Sequence, residues 1–103
     1  NNLGFAYENG QGVAEDAAEA VKWYHKAAER GQANAQNNLG VMYANGTGVP
    51  EDDVQAYMWF NLAAAQGDEG AKRNKGILSE KMTGEQIAEA QKLSREWLAK
   101  RTK

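Results

Sequence analysis

The most constraining feature of this sequence is an internal repeat with a period of 36 residues. When residues 1–36 are aligned with residues 37–72, 17 of the 36 positions are identical. A fixed period of this length is typical of proteins built by stacking one supersecondary unit on the next. We therefore expect a single repeat domain over 1–103. It comprises a first repeat over 1–36, a second over 37–72, and a degenerate repeat with a C-terminal capping helix over 73–103.

Each complete repeat is predicted to contain two helices joined by a glycine-rich turn. In the second repeat, Ala35, Leu39, Met42 and Tyr43 recur at helical spacing on one face. Gly46 then gives a stop signal, because glycine adopts the left-handed conformation at a helix end without steric cost. Three residue pairs have the capping-box pattern: Asp16 with Glu19, Asp52 with Gln55, and Thr83 with Gln86. The predicted helices cover residues 1–9, 16–30, 33–45, 52–66, 69–81 and 84–101, and we expect no strand.

Small and aromatic side chains are predicted to pack neighbouring helices against each other. On the second helix of the second repeat these side chains are Ala56, Trp59, Phe60, Ala63 and Ala64. Gly40 lies inside a predicted helix, where glycine costs roughly 0.5–1 kcal/mol relative to alanine. Its recurrence at Gly4 and Gly76 predicts a close contact between helices at each of these positions.

The third unit departs from the pattern of the first two. Lys75 stands where the repeat has leucine, Ser79 stands where it has tyrosine, and the Gly-x-Gly-Val turn is missing. The final helix is predicted to have an apolar side made of Ile87, Ala90, Leu93, Ser94, Trp97 and Leu98. Because a solenoid needs an atypical end unit whose outer face tolerates water, we interpret residues 73–103 as a cap.

These repeats resemble the Sel-1-like repeat, a relative of the tetratricopeptide repeats. The residues that carry the resemblance are Ala35, Leu39, Gly40, Tyr43, Gly46, Gly48, Val49, Asp52, Ala56, Trp59, Ala63, Ala64, Gly67 and Ala71. The ending MTGEQIAEAQKLSREW is similar to the C-terminal segment of many bacterial members. The resemblance implies an all-α fold, a right-handed α/α solenoid, and a role as an adaptor in protein complexes. Because the first copy lacks counterparts of residues 33–36, we expect the chain to be the C-terminal part of a longer array.

Composition narrows the function classes further. Hydrophobic residues make up 42% and charged residues 25% of the chain, which is typical of a globular protein. No apolar run approaches the ~20 residues of a membrane span, so none is expected. The absence of cysteine excludes disulfides and thiolate metal sites. The net charge of −2 gives no overall attraction to nucleic acid. Residues 73–103 carry eight Lys or Arg against four Asp or Glu, a net +4, and the cations near the end are expected to complement the dipole of the last helix.

Motifs for catalysis, metal binding or cofactor binding have little support in this sequence. The glycine-rich turns 10–12 and 46–48 are not followed by Lys-Ser or Lys-Thr, so they do not form a phosphate-binding loop. The acidic run 51–53 lacks the ligand spacing of a calcium loop and is explained by helix capping. His25 is the sole histidine, and we expect it to face solvent. We therefore predict no enzymatic activity, no metal and no cofactor.

Two other side-chain types recur at the period of the repeat. Trp23 and Trp59 could anchor a partner, but their recurrence favours packing between units. Asn2, Asn38 and Asn74 form a ladder at the same spacing. Hydrogen bonds between adjacent units are the favoured role of this ladder, and contact with a ligand is the alternative.

The frame implied by the resemblance places the first helix of each pair along a concave groove. The candidate partner-binding residues in that frame are Asn1, Phe5, Glu8, Asn34, Asn37, Val41, Ala44, Arg73, Ile77 and Glu80. Phe5, Val41 and Ile77 recur at 36 residues and would form an apolar stripe between polar flanks. Such a surface suits a peptide or a partner helix laid along it. The alternative is that these side chains only pack against each other.

Two functional interpretations follow from the sequence. In the first, the protein is a scaffold or adaptor that binds a partner peptide or helix in the groove. In the second, the chain is a structural spacer or terminal cap, and the binding surface lies in further repeats. An enzyme is a distant third. The sequence does not identify the partner, leaves the oligomeric state open with a monomer favoured, and is compatible with the bacterial cytoplasm or periplasm.

Overall fold

A computed structural model describes residues 14–101, with side chains from Ala17 onward. Within this part of the chain the structure is helical and contains no strand. The helices are α1 (Ala14–Glu29), α2 (Ala33–Asn45), α3 (Asp53–Ala65), α4 (Glu69–Ser79) and α5 (Gly84–Arg101). The helix predicted over 1–9 lies outside the described residues.

Helix boundaries follow the capping chemistry read from the sequence in most places. Helix α2 ends at Asn45, and Gly46 after it has a left-handed φ of 69°, as predicted. Thr83 and Gln86 form the complete capping box at the start of α5, with N–H to oxygen distances of 2.9 and 3.0 Å. Helix α1, however, begins at Ala14, two residues before the predicted cap at Asp16.

The cap of α3 forms only in part, and the cap of α4 was not predicted from the sequence. The Asp52 carboxylate accepts the Gln55 N–H at 3.0 Å, but the Asp52 N–H donates to the Tyr43 carbonyl at 2.9 Å. Only half of the predicted capping box therefore forms. Helix α4 is capped by Asp68, which accepts the Ala71 N–H at 2.9 Å. Sequence analysis did not single out Asp68.

The helices pack in the order expected of stacked units until the last one. Helix α2 contacts α1, α3 and α4, and α3 contacts α2, α4 and α5. Helix α5 packs on α3 rather than on α4, its immediate predecessor in the chain. One hydrophobic cluster joins α2, α3, α4 and α5 and includes Phe60, Leu78 and Ala90. A second joins α1, α2 and α3, with α5 against it, and includes Val21, Leu39 and Trp59.

Gly40 confirms the close helix contact predicted at its position. A Cβ atom at Gly40 would lie 2.5 Å from the ring of Phe60, closer than any real side chain can approach. The same prediction is wrong for Gly76, where a Cβ atom would have no neighbour within 4 Å. Helix α5 does not cover that face of α4, which leaves the space open. Gly4 lies outside the described residues.

The C-terminal end of α5 reaches across α3 to the end of α1. Trp97 Nε1 donates to Glu29 Oε1 at 3.1 Å, and the Arg101 guanidinium donates to the carbonyls of Glu29 and Arg30. Arg101 also lies 4.7 Å from the centroid of the Trp97 ring. A cation at the C-terminal carbonyls of a helix is favourable because it meets the negative end of the helix dipole. Arg101 therefore stabilises α1, although we expected it to act on its own helix.

Candidate partner-binding surface

The structure separates the predicted groove residues into accessible and buried groups. The accessible or half-buried ones are Asn34, Asn37, Arg73, Ile77 and Glu80, which we call the first-helix surface. Asn34 and Asn37 lie on α2, Arg73 and Ile77 lie on α4, and Glu80 follows the last residue of α4 as its C-cap. Helices α2 and α4 pack against each other. Asn1, Phe5 and Glu8 lie outside the described residues.

Val41 and Ala44 are corrections to the predicted groove. Val41 is 0% exposed and Ala44 is 4% exposed, and both lie in the cluster that contains Leu78 and Met82. Helix α2 is enclosed by α1, α3 and α4, so that apolar residues on several of its sides are buried. The apolar stripe predicted through Val41 is therefore packing at this position, and of its two described members Ile77 is the one that solvent reaches.

One asparagine–asparagine hydrogen bond joins the units, but it does not use the predicted pair of Asn38 and Asn74. Asn74 Nδ2 donates to Asn37 Oδ1 at 3.1 Å, and this bond joins α4 to α2. Asn37 rather than Asn38 thus takes the role of unit-to-unit partner. Asn2 lies outside the described residues. The bond orients the Asn37 side chain at the edge of the first-helix surface.

The two tryptophans of the repeat have opposite environments. Trp59 is 1% exposed and makes edge-to-face contacts with His25 and Trp97, at 5.7 and 5.8 Å between ring centroids. Core packing is therefore confirmed for Trp59. Trp23 is 59% exposed, with Lys26 Nζ 5.1 Å from its ring centroid, so the same prediction is wrong there. Trp59 lies between His25 of α1 and Trp97 of α5, whereas the neighbour over the Trp23 ring is the exposed Lys26.

His25 is only partly exposed to solvent. Its ring edge packs on Trp59, and its Nδ1 lies 3.7 Å from Glu29 Oε2 on the same helix. Within the described part of the chain, no group of three or more His, Cys, Asp or Glu side chains could hold a metal ion. Among helices α1–α5, none is long and apolar enough to cross a membrane.

A charged cluster links the start of α3 to the end of α4. Lys81 Nζ lies 3.5 Å from Glu51 Oε2 and 3.8 Å from Asp53 Oδ2. Burial raises the pKa of the Asp53 carboxyl, the Lys81 cation lowers that pKa, and the negative charges of Glu51 and Asp52 raise it again. Asp53 Oδ1 is buried without a hydrogen-bond partner in the described structure. The cluster thus holds two units together, although one oxygen of the Asp53 carboxylate lacks a hydrogen-bond partner among the described residues.

A second polar connection joins α4 to α5 through α3. Lys75 Nζ donates to Asn61 Oδ1 at 3.1 Å, and Asn61 Nδ2 donates to Ser94 Oγ at 3.1 Å. Ser94 is 3% exposed and also donates to the Ala90 carbonyl at 3.0 Å. This connection explains the lysine that replaces leucine in the degenerate repeat. Its ammonium group reaches a polar partner on α3 instead of packing in the core.

A buried glutamine is a structural residue that the sequence analysis missed. Gln36 is 0% exposed, and its Nε2 donates to the Ala28 carbonyl at 3.1 Å. Gln66 Nε2 donates to Gln36 Oε1 at 3.0 Å and to the Gly31 carbonyl at 2.8 Å. The three helices α1, α2 and α3 are thereby tied at one end. The alignment pairs Gln36 with Lys72, so the 36-residue period gave no signal for this role.

Helix pairs that recur with a fixed period and share a continuous core define an all-α helical-repeat protein. The Sel1 repeat family model matches residues 1–32 and 33–68. The chain therefore belongs to the Sel1 repeat family. This division places the unit boundary at the start of α2, four residues before the boundary used in our alignment.

A solved structure supports the same assignment. The chain is 38% identical to c5321, a protective antigen present in uropathogenic Escherichia coli strains that displays an SLR fold. The match has a TM-score of 0.80 and covers 95% of this chain and 21% of that protein. The chain thus spans about a fifth of the length of this relative. No curated protein matches the sequence.

Proposed function

We propose that this chain is a non-catalytic scaffold that binds a partner protein through the first-helix surface. Repeats of the Sel1 family usually mediate protein–protein interactions, and proteins built from them are typically non-catalytic scaffolds. The observation that carries the proposal is that α2 and α4, joined by the bond between Asn37 and Asn74, together present a strip of accessible polar side chains around Ile77.

The chemistry of this strip fits a peptide or helix with mixed polar and apolar side chains. Asn34 and Asn37 offer amide groups that can donate and accept hydrogen bonds, and Arg73 offers a cationic fork for a carboxylate. Ile77 is 38% exposed and gives the strip an apolar centre. An apolar centre with a polar rim is the usual anatomy of a recognition surface. With Val41 and Ala44 buried, polar contacts contribute more of the recognition than the sequence predicted.

Partner capture with matched variants tests this function. A photo-reactive amino acid is placed at Glu80 in the first-helix surface or, as a control, at Glu89 on the exposed side of α5. We expect a specific cross-linked partner from Glu80 that is lost in Ile77→Asp and Arg73→Glu. We expect the cross-link to persist in Lys92→Glu, a charge reversal on the exposed side of α5. Equal capture in all variants, or capture from Glu89 alone, would contradict the assignment of this surface.

A terminal cap is a second candidate function that one observation favours. Helix α5 covers Trp59 with Trp97 and closes the end of α1 with Arg101, while its exposed side is largely polar. This is the arrangement expected of the last unit in a stack. Removal of residues 84–103 should expose Trp59 and shift its fluorescence emission to longer wavelength. A cap role without partner binding would leave the cross-linking experiment negative in every variant.

A further inference from the structure

We propose that α4 and α5 form a second docking site, which accepts an acidic helix of a partner protein carrying one aromatic side chain. The site, called the α4–α5 cleft, comprises Lys72, Lys75 and Gly76 on α4, Arg95 and Leu98 on α5, and Asn61 on α3 between them. It rests on the proposed function only in that both sites require a protein partner. The two sites use adjacent faces of α4.

The position of Asn61 shows that α4 and α5 flank an open strip of α3. Its side chain accepts a hydrogen bond from Lys75 on one side and donates one to Ser94 on the other. Helices α4 and α5 both pack on α3 rather than closely on each other. Two helices that follow each other in the chain are therefore splayed, with Asn61 between them.

Helical spacing identifies the residues at the edges of this strip. On α5, Trp97 points to α1, whereas Ser94 points to Asn61. Leu98 follows Ser94 by four residues and shares its side of α5, and Arg95 lies beside Leu98 because it precedes it by three residues. On α4, Asn74 points to α2, and Lys75 points the other way to Asn61. Lys72 precedes Lys75 by three residues and Gly76 by four, so its side chain lies between those two positions on the surface of α4.

The equivalent face of α2, in the complete repeat, shows which side chains can pack on this face of α4. Gln36, Leu39 and Gly40 are the counterparts of Lys72, Lys75 and Gly76, and all three are buried. There the ring of Phe60 occupies the space over Gly40. The space over Gly76 is empty to 4 Å, so an aromatic ring from a partner helix can occupy it in the same way.

The chain does not supply that ring itself. When Ser94 and Trp97 are aligned with Ala56 and Trp59, the residue at the position of Phe60 is Leu98. Leu98 is 46% exposed instead of covering Gly76. The complete repeat makes an internal contact between Gly40 and Phe60. In the last repeat the counterparts of these two residues, Gly76 and Leu98, are both exposed. Leu98 adds apolar surface for the partner beside the glycine.

The charge of the cleft selects an acidic occupant. Lys72, Lys75 and Arg95 give it three cations. Lys72 lies 3.5 Å from Glu69, but no ion pair in the described structure involves Lys75 or Arg95. Lys75 has the Asn61 amide and the Tyr57 ring as neutral neighbours. Carboxylates on a partner helix would supply the missing counter-charge and raise the rate of encounter.

A designed peptide tests the cleft directly. The probe is a stapled 15-residue helix with a central phenylalanine and flanking glutamates, and its binding to the 103-residue chain is followed by fluorescence anisotropy. We expect Gly76→Leu, which fills the open space, and Arg95→Glu, which reverses a charge, each to weaken binding about tenfold or more. A probe with alanine in place of phenylalanine, or lysines in place of glutamates, should lose binding to a similar extent.

Matched controls make the result decisive. Ala88→Leu adds a side chain to the exposed side of α5 and should leave binding of the probe unchanged, as should Ile77→Asp on the first-helix surface. Thermal unfolding verifies that each variant is folded. A wild-type chain that does not bind the probe, or that binds the lysine probe equally well, overturns the cleft. So does unchanged binding in both Gly76→Leu and Arg95→Glu. None of these results affects cross-linking from Glu80, which tests the proposed function separately.

Discussion

Helices α2 and α4 occupy the same place in consecutive repeats, but their surroundings differ. Leu39 is fully buried, whereas its counterpart Lys75 is half-buried and hydrogen-bonded to a neighbouring helix. Val41 is 0% exposed and Ile77 is 38% exposed. The position within the repeat therefore does not determine burial. The helix that follows determines it.

The cause of the difference is the path of the last helix. Helix α3 returns along α2 and fills the space over Gly40 with Phe60. Helix α5 instead crosses α3 and leaves α4 partly uncovered. The same position of the repeat is therefore buried on α2 and accessible to solvent on α4. Such exposure is what the predicted cap over residues 73–103 would require.

The largest expected difference in stability loss is the one between Val41→Asp and Ile77→Asp. The first places a carboxylate in an apolar cluster and should reduce the free energy of unfolding by more than about 3 kcal/mol. The second places it at a partly exposed site and should cost less than about 1 kcal/mol. Urea denaturation of both variants measures the contrast. Equal losses would mean that α4 is covered as completely as α2.

Glycine replacement gives the next contrast. Gly40→Val would force a side chain into the Phe60 ring and should cost about 1–3 kcal/mol. Gly76→Val meets open space and replaces a poor helix former, so a gain within about 0.5 kcal/mol is expected. Melting temperatures of the two variants provide the test. If Gly76→Val destabilises as much as Gly40→Val, the space over Gly76 is occupied in solution.

A smaller effect is expected where α5 meets α1. Arg101→Gln removes the cation at the carbonyls of Glu29 and Arg30 and should cost up to about 1 kcal/mol. The amide hydrogens in the last turn of α5 should also exchange faster. Lys100→Gln is the control, because Lys100 is exposed and the hydrogen bonds to α1 come from Arg101. Identical exchange in both variants would show that the contact does not hold α5 in place.

The smallest effect concerns how the free energy of unfolding depends on pH through Asp53, in the charged cluster between α3 and α4. The pKa of Asp53 is raised by burial above its ordinary 3.8, so the folded state binds the proton more tightly than the unfolded chain. This contribution to stability is present below pH 3.8 and is lost as the pH rises through the folded-state pKa. The free energy of unfolding of Asp53→Asn should therefore fall less over that interval than the wild-type value. Parallel curves for the two proteins would refute this assignment, and Glu69→Gln serves as the control.

Sequence reasoning succeeded where structure depends on local chemistry. The boundaries of α2 and α5, the left-handed Gly46 and the capping box of Thr83 all follow from short patterns. The close contact at Gly40 followed from a glycine that local propensity does not explain. These features depend on residues that are close in sequence or on contacts within a complete repeat. They can therefore be predicted from local patterns and from the 36-residue period.

The candidate site was predicted less well because accessibility depends on neighbours distant in sequence. Arg73, Ile77 and Glu80 are accessible as the groove requires, whereas Val41 and Ala44 are buried by α3 and α4. The asparagine contact was displaced by one residue, which the period alone could not resolve because Asn37 and Asn38 are both asparagine. The alignment also could not show that α5 leaves the hairpin pattern.

The contact of Arg101 with the end of α1 has a consequence for the order of folding. In a solenoid most contacts are local, so folding can begin in one unit and spread to its neighbours. Arg101 bonds to carbonyls 72 and 71 positions earlier in the chain, and Trp97 bonds to a side chain 68 positions earlier, so the end of α5 makes long-range contacts. Such contacts carry a larger loop-closure entropy and form late. The C-terminal end of α1 is therefore fully stabilised only after α5 has packed on α3, which couples the folding of α1 to that of α5.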